Sequence, residues 1–170
     1  ILNATDNEID DLSPLSTLSS LDALDLKANF VEDISPLGPL DRSLNGLNLA
    51  ENRLTDLRGI GALDRLIELD LSNNALTDIG PLSRLTRLRQ LDLSSNRIDE
   101  VSALGELPLR TLDLANNKLV DLTPLAGLDR LISLFVFNNL VSDLSPLASL
   151  GRLEVLDLSV NRVIDLTPLA

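Results

Sequence analysis

Carboxylates are the side chains in this sequence that could do acid–base chemistry, because histidine and cysteine are missing. The chain has 26 Asp and Glu residues against 14 Lys and Arg, and it contains no His, Cys, Met, Trp or Tyr. Paired carboxylates can act as general acid and base in hydrolysis, and clusters of carboxylate oxygens can bind calcium. The lack of His and Cys excludes a histidine base, a thiolate nucleophile, a disulfide and a Cys/His zinc site.

The carboxylates recur at fixed intervals in two sets and do not form one distinguished pair. The first set lies between the leucines of an L-x-L phrase, at Asp25, Asp70, Asp92, Asp113 and Asp157. The second set follows a recurring asparagine by four positions, at Asp11, Asp33, Asp56, Asp78, Glu100, Asp121, Asp143 and Asp165. No phosphate-binding loop accompanies either set, so we expect no catalytic residue, no cofactor and no enzymatic activity. A calcium site is an open alternative, although a straight ladder of carboxylates is not a cage.

Both sets follow a repeat of about 22 residues that runs through the chain. Its marker asparagines are Asn7, Asn29, Asn52, Asn74, Asn96, Asn117, Asn139 and Asn161, separated by 22, 23, 22, 22, 21, 22 and 22 residues. Each complete copy has the pattern L-x-x-L-x-L-x-x-N, as in Leu66, Leu69, Leu71 and Asn74, with Val136 in place of one leucine. A fixed period of this length predicts a stack of about eight similar units.

The apolar spacing inside each unit predicts a short strand followed by a turn. Side chains alternate along a strand, so the leucines of L-x-L share one face, and stacked neighbours bury it. We expect the asparagines to point inward and satisfy backbone groups as a ladder of Asn29, Asn52, Asn74, Asn96, Asn117, Asn139 and Asn161. The phrase Ser/Thr-Pro-Leu, as at 145–147, predicts a one-turn 3-10 helix with Ser or Thr as its N-cap. The acidic residue before that phrase is expected to accept backbone N–H groups, with metal binding as the alternative.

This pattern resembles the leucine-rich-repeat family over the whole chain. Through its D-[LI]-[ST]-P-L phrase it is most similar to the 22-residue class of bacterial internalins, and it is also similar to the leucine-rich regulatory subunit of a protein phosphatase. The resemblance implies an α/β fold: a right-handed solenoid with a parallel β-sheet on its concave side and short 3-10 turns on its convex side. We expect residues 1–170 to form one such domain, cut from a larger protein and lacking its end caps.

The residues between the leucines are expected to face solvent on the concave side. The aspartates of the first set then form a stripe of like charges about 4.8 Å apart, and their repulsion is expected to raise some of their pKa values. The stripe either keeps an open face soluble or docks a partner with a basic surface.

Phe135 and Phe137 interrupt the stripe. Every other complete repeat has Asp or Asn at the first of these positions and Lys, Ala or Ser at the second. Exposed apolar clusters and aromatic anchors are typical of contact sites, and the outward neighbours expected here are Ile132, Leu140, Val155 and Val160. The alternative is that a neighbouring domain covers the rings, or that they pack harmlessly on each other.

These observations together predict a bacterial protein–protein interaction module that binds a protein partner on its concave face. A net charge of −12 argues against nucleic acid, and no apolar run approaches the roughly 20 residues of a membrane helix. Two alternatives stay open: an intracellular regulatory subunit of an enzyme such as a phosphatase, and a structural spacer in a multidomain protein. An extracellular or cell-surface location is favoured over a cytoplasmic one, and end-to-end packing through the uncapped termini is a further expectation.

Overall fold

The computed structural model describes all 170 residues, and its eight strands form one parallel sheet in sequence order. Each strand is two or three residues long and belongs to one repeat. The strands are β1 (Leu2–Asn3), β2 (Ala23–Asp25), β3 (Gly46–Asn48), β4 (Glu68–Asp70), β5 (Gln90–Asp92), β6 (Thr111–Asp113), β7 (Ser133–Phe135) and β8 (Val155–Asp157). The register pairs equivalent positions of successive repeats, such as Leu69 with Leu91. The expected solenoid with a parallel sheet is therefore confirmed.

Seven 3-10 turns connect the strands and an eighth follows β8, and the chain contains no α-helix. The turns are Ser13–Thr17, Ser35–Leu40, Ile60–Ala62, Gly80–Arg84, Ser102–Leu104, Thr123–Gly127, Ser145–Ser149 and Thr167–Leu169. No helix has the length and apolar character needed to cross a membrane. The helical component of the fold consists only of these short turns.

The leucine frame fills one continuous core of 42 buried hydrophobic residues. In the central repeats the frame side chains are almost fully enclosed, as Leu66, Leu71 and Leu88 show with no exposed surface. Neighbouring repeats supply both walls around each leucine, because a single three-residue strand cannot bury its own apolar face.

The marker asparagines bind each repeat to the one before it. The Asn96 side-chain amide donates to the Leu93 carbonyl of its own repeat at 3.1 Å and to the Leu71 carbonyl of the preceding repeat at 3.0 Å. Its Oδ1 accepts the backbone N–H of Leu76 at 3.0 Å. The same three bonds recur in Asn29, Asn52, Asn74, Asn117, Asn139 and Asn161. No buried side-chain nitrogen or oxygen is left without a hydrogen bond.

The second acidic set binds the backbone at or just before the start of each 3-10 turn. Each of these carboxylates accepts the backbone N–H two residues later, as Asp143 does from Ser145 at 2.8 Å. The remaining seven bonds have the same form. The expected hydrogen-bonding role of this set is confirmed, and the backbone N–H and then the hydroxyl of Ser35 lower the pKa of Asp33.

The expected Ser/Thr N-caps are wrong. The capping position falls on the apolar residue before the Ser or Thr, such as Leu144, and no cap side chain makes a hydrogen bond. Ser145 is the first helical residue and the following proline is the second, because the acidic residue two positions earlier already binds the Ser145 N–H. Where Gly59 replaces the proline, its φ is 91° and the turn begins only at Ile60.

The residue before each marker asparagine bends the chain out of its strand. Its φ lies between 52° and 57° in all eight repeats. This left-handed conformation suits Asn and Asp and disfavours β-branched side chains. Most of the residues at this position are small or polar, namely Asp6, Ala28, Glu51, Asn73, Ser95, Asn116 and Asn138, whereas the eighth is Val160.

Candidate functional site

The first acidic set stacks in register on the open face of the sheet. This is the face opposite the one that carries the core leucines. The pairing places Asp70 beside Asp92 and Asp92 beside Asp113. Phe135 then separates Asp113 from Asp157. None of these aspartates forms an ion pair, because the chain contains only the pairs Lys27–Glu51 and Arg58–Asp56.

Each member of this stripe also has a structural role that the sequence reasoning missed. One oxygen of Asp92 accepts the Ser94 N–H at 2.8 Å, just where the strand ends. Equivalent bonds are made by Asn3, Asp25, Asn48, Asp70, Asp113 and Asp157. The presence of Asn3 and Asn48 at this position could have indicated the hydrogen bond. Asn and Asp both carry a side-chain oxygen that can close such a turn, but only Asp is charged.

The pKa values along the stripe move in opposite directions. Burial, and after it the charges of Asp92, Asp157 and Asp70, raises the pKa of Asp113, although the Ala115 N–H opposes that shift. The hydroxyl and then the N–H of Ser159 lower the pKa of Asp157. Repulsion inside the stripe therefore contributes to the raised pKa of Asp113, but burial is the larger cause.

Phe135 and Phe137 lie on the open face and outside the core. Val136 between them is fully buried, and neither phenylalanine belongs to the core cluster. Both rings are half-buried by their surroundings and do not stand free in solvent.

Repeat seven lacks a hydrogen bond that every other repeat has, because it carries Phe135 in place of Asp or Asn. Phe135 has no side-chain oxygen, and the N–H of Phe137, two residues later, has no acceptor in the chain. An unmade backbone bond of this kind destabilises by about 1 kcal/mol if water does not replace it. The fold itself gives no reason for an aromatic residue at this position.

Val160, close to the phenylalanines, is a second local departure from the repeat pattern. It is β-branched, has φ 54° and is 62% exposed. The Asn138 N–H bonds to the carbonyl of Ser159, so Val160 follows the chain segment beside Phe137. Two more apolar side chains are exposed in the same repeats, Leu140 by 37% and Val155 by 45%.

A groove of about 530 Å³ crosses the open face from β1 to β7. It brings together five of the seven predicted contact residues, which are Asp25, Asp70, Asp92, Asp113 and Phe135. Phe137 and Asp157 are not among its lining residues. Phe135 therefore closes the groove at one end, and the aspartates lie along its length.

Phe30 has a separate explanation. The Arg53 guanidinium carbon lies 4.0 Å from the centre of its ring, and Arg53 is in the next repeat. A cation over an aromatic face is favourable. Phe30 therefore has a cation partner within the chain, although its side chain is 38% exposed.

Comparison with known proteins agrees with this geometry. A family model described as leucine-rich repeats in two copies matches residues 64–106 and 109–149. Internalin C2 of Listeria monocytogenes is 37% identical with a TM-score of 0.97, and the match covers 99% of this chain and 75% of that one. The internalin inlF of the same species is 34% identical with a TM-score of 0.93, over 98% of this chain and 49% of that one. A leucine-rich-repeat protein of Leptospira interrogans is 30% identical with a TM-score of 0.90, over 99% and 45%.

The present chain thus spans about half the length of inlF and of the Leptospira protein. A comparison with curated proteins finds no significant match.

Proposed function

Because the chain belongs to the leucine-rich-repeat family and is internalin-like, we propose that it binds a protein partner on the open face of its sheet. The contact region is the aromatic patch, which we define as Phe135, Phe137, Leu140, Val155 and Val160. Leucine-rich-repeat proteins are typically protein-interaction modules, and both organisms named among the similar structures are bacteria. The proposal extends to a bacterial protein that acts outside the cell or at its surface.

The observation that carries the proposal is the unpartnered N–H of Phe137. Seven repeats place Asp or Asn where Phe135 lies, and each makes the bond that closes the turn. Repeat seven gives up this bond for an aromatic ring on an accessible face. A residue type that gives up a backbone hydrogen bond for an aromatic ring on an accessible face is more readily explained by binding than by folding.

Val160 supports the same region independently. A left-handed β-branched residue is strained, and the side chain is largely exposed, so burial does not compensate the strain. Both departures occur in adjacent repeats, which also carry the exposed side chains of Leu140 and Val155. Exposed apolar residues gathered in one place usually mark a contact surface.

The stripe gives the proposed partner a preferred charge. Asp92 and Asp113 each use one carboxylate oxygen for the turn, while the second oxygen has no hydrogen bond within the chain. The partner in this proposal therefore places an apolar group on the aromatic patch and basic groups along the groove. Such charge complementarity mainly accelerates association and weakens as salt increases.

The test compares variants that differ at the patch but not in fold. A partner is captured from a host-cell surface extract, purified, and titrated by calorimetry against wild-type protein and the Phe135→Asn/Phe137→Ser variant. We expect the double substitution to weaken binding by more than about tenfold, because aromatic anchors dominate interface energies. Val120→Ser is the matched control, since Val120 is exposed by 58% and lies outside the patch.

Equal affinity of the double variant and the wild type would refute the patch as the contact region, as would capture of no protein at all. A charge control is also available on the other side of the repeat. Asp92→Asn/Asp113→Asn should reduce association at low salt, whereas Asp121→Asn/Asp143→Asn, with the same charge change in the turns, should not.

A further inference from the structure

The chain carries an unpaired cluster of arginines that the function proposed above does not use. We define the arginine edge as Arg65, Arg87, Arg89 and Arg110. These residues flank the first leucine of repeats four to six, on the side where the chain enters each strand. All four side chains are exposed, and none forms an ion pair or donates a hydrogen bond within the chain.

The fold brings these arginines together in two short columns. Arg65 and Arg87 occupy the same position in adjacent repeats, 22 residues apart. Arg89 and Arg110 are also neighbours, because the Arg110 N–H bonds to the Arg89 carbonyl at 2.8 Å. With adjacent strands about 4.8 Å apart, the four positive charges share a surface about 10 Å along the solenoid axis.

No acidic side chain forms an ion pair with these four arginines, although Asp64 precedes Arg65 in the sequence. Residues 82–90 contain Arg84, Arg87 and Arg89 and no acidic residue, in a protein of net charge −12. Glu68 lies on the strand beside Gln90 and accepts a bond from its side-chain amide at 3.3 Å, but it forms no ion pair with an arginine. Arg89 and Arg110 lie just before β5 and β6, so these like charges of adjacent repeats repel each other, and a bound anion would relieve that repulsion.

We propose that the arginine edge is a docking site for a sulfated glycan chain. A guanidinium group is planar and can donate two parallel hydrogen bonds to one oxyanion group, and all four residues are arginine. The acidic stripe on the adjacent open face repels a polyanion, which confines the glycan to the edge. Single-stranded nucleic acid fits less well, because the edge has no aromatic ring on which a base could stack.

This site and the aromatic patch are separate. The arginine edge lies in repeats four to six, and the patch lies in repeats seven and eight. Glycan binding should therefore survive the Phe135→Asn/Phe137→Ser substitution, so a failure of either proposal is distinguishable from a failure of the other.

The experiment titrates a heparin-derived octasaccharide into the protein by calorimetry at low salt, about 50 mM. Arg87→Ser/Arg89→Ser is expected to weaken binding by about tenfold, because two direct ionic contacts are removed. Arg97→Ser/Arg162→Ser is the matched control, since it removes two exposed, unpaired arginines elsewhere and changes the net charge equally. The control should weaken binding by less than about twofold.

Three outcomes would overturn the proposal. The wild-type protein could fail to bind the octasaccharide at low salt. Both arginine pairs could weaken binding equally, which would show a response to net charge alone. A single-stranded DNA oligonucleotide of equal charge could bind more tightly and depend on the same two arginines, which would assign the edge to nucleic acid. Thermal unfolding of each variant establishes that the fold is retained.

Discussion

Asp113 and Phe135 are direct neighbours in the register of β6 and β7, and only Asp113 can accept the backbone N–H two residues later in its own repeat. The two residues occupy the same position in consecutive repeats. Asp113 therefore shows the turn-closing hydrogen bond that the repeat normally has, and Phe135 shows its loss in repeat seven. Stability and binding should therefore respond in opposite ways when Phe135 is returned to the common residue type.

Phe135→Asn should restore the missing hydrogen bond to the Phe137 N–H. We expect this variant to be more stable than Phe135→Ala by about 1 kcal/mol, the usual net value of such a bond. Urea unfolding of both variants measures the difference. If the two variants have the same free energy of unfolding, the N–H of Phe137 is already satisfied by water.

Val160→Asn should stabilise the protein by roughly 1 kcal/mol, because Asn tolerates the left-handed backbone that strains valine. Little packing is lost, since Val160 is largely exposed. The same substitution at Val120, which is also exposed but is not among the positive-φ residues, should bring no gain. Thermal unfolding of the two variants decides the point, and equal shifts would argue against strain at Val160.

Asp113→Asn should raise stability at neutral pH. The pKa of folded Asp113 is raised above its ordinary value of 3.8, so its charged form is less favourable in the folded protein than in the unfolded chain. The penalty is absent below pH 3.8, develops as the pH rises through the raised folded pKa, and is complete above it. The gain from Asn, which keeps the acceptor oxygen, should therefore be present at pH 7 and vanish in acid.

Asp157→Asn is the opposite control for that pH profile. Its folded pKa is lowered, so the charged form contributes stability that is present above pH 3.8 and is lost as the pH falls through the lower folded value. Thermal unfolding of this variant at pH 7 should show no gain. A gain equal to that of Asp113→Asn would mean that relief of overall negative charge, and not burial of Asp113, is the cause.

Asn96→Ala should destabilise the protein by about 2–4 kcal/mol, because it removes three hydrogen bonds of a buried amide and leaves backbone groups unpaired. Asn7 offers a comparison, since its amide donates only within its own repeat. Asn7→Ala should therefore have a much smaller effect on urea unfolding. Similar losses for both would contradict the importance of the bonds between repeats.

Gly105→Ala should also destabilise, by about 1–3 kcal/mol, because a Cβ there would lie 2.7 Å from the carbonyl oxygen of Pro124 in the next repeat. Gly151→Ala is the matched control, since nothing lies within 4 Å of the position a Cβ would take. Thermal unfolding measures both. An equally stable Gly105→Ala variant would show that adjacent turns can shift apart.

The architecture was predictable from the sequence because each recurring residue type meets one physical requirement of repeat stacking. The position of Leu69 is leucine in successive repeats because a short strand can bury its apolar face only against its neighbours. The position of Asn74 is asparagine because the bend after the strand leaves backbone groups that need hydrogen bonds. The hydrogen bond of Asp92 was not foreseen, since its charge suggested only roles in solvation, partner docking or calcium binding. The left-handed backbone conformation of Val160 was also not predicted, because valine rarely adopts a positive φ.

The arginine edge was missed for a different reason. Arg87 and Arg89 are ordinary exposed residues when read along the chain, and their neighbours Arg65 and Arg110 are 22 and 21 residues away. Only the lateral stacking of repeats brings the four charges together. A net charge of −12 concealed a local surface of the opposite sign.

The bonds of each marker asparagine reach no further than the preceding repeat, and this has an evolutionary consequence. Duplication or deletion of one whole unit in the gene would recreate every such bond at the new junction, so the molecule can change its length without redesign. An event at the junction between repeats six and seven would also move Phe135 relative to the arginine edge by one inter-strand step, about 4.8 Å. Copying of a single unit at that junction is thus a ready means of adjusting the distance between the two proposed binding surfaces.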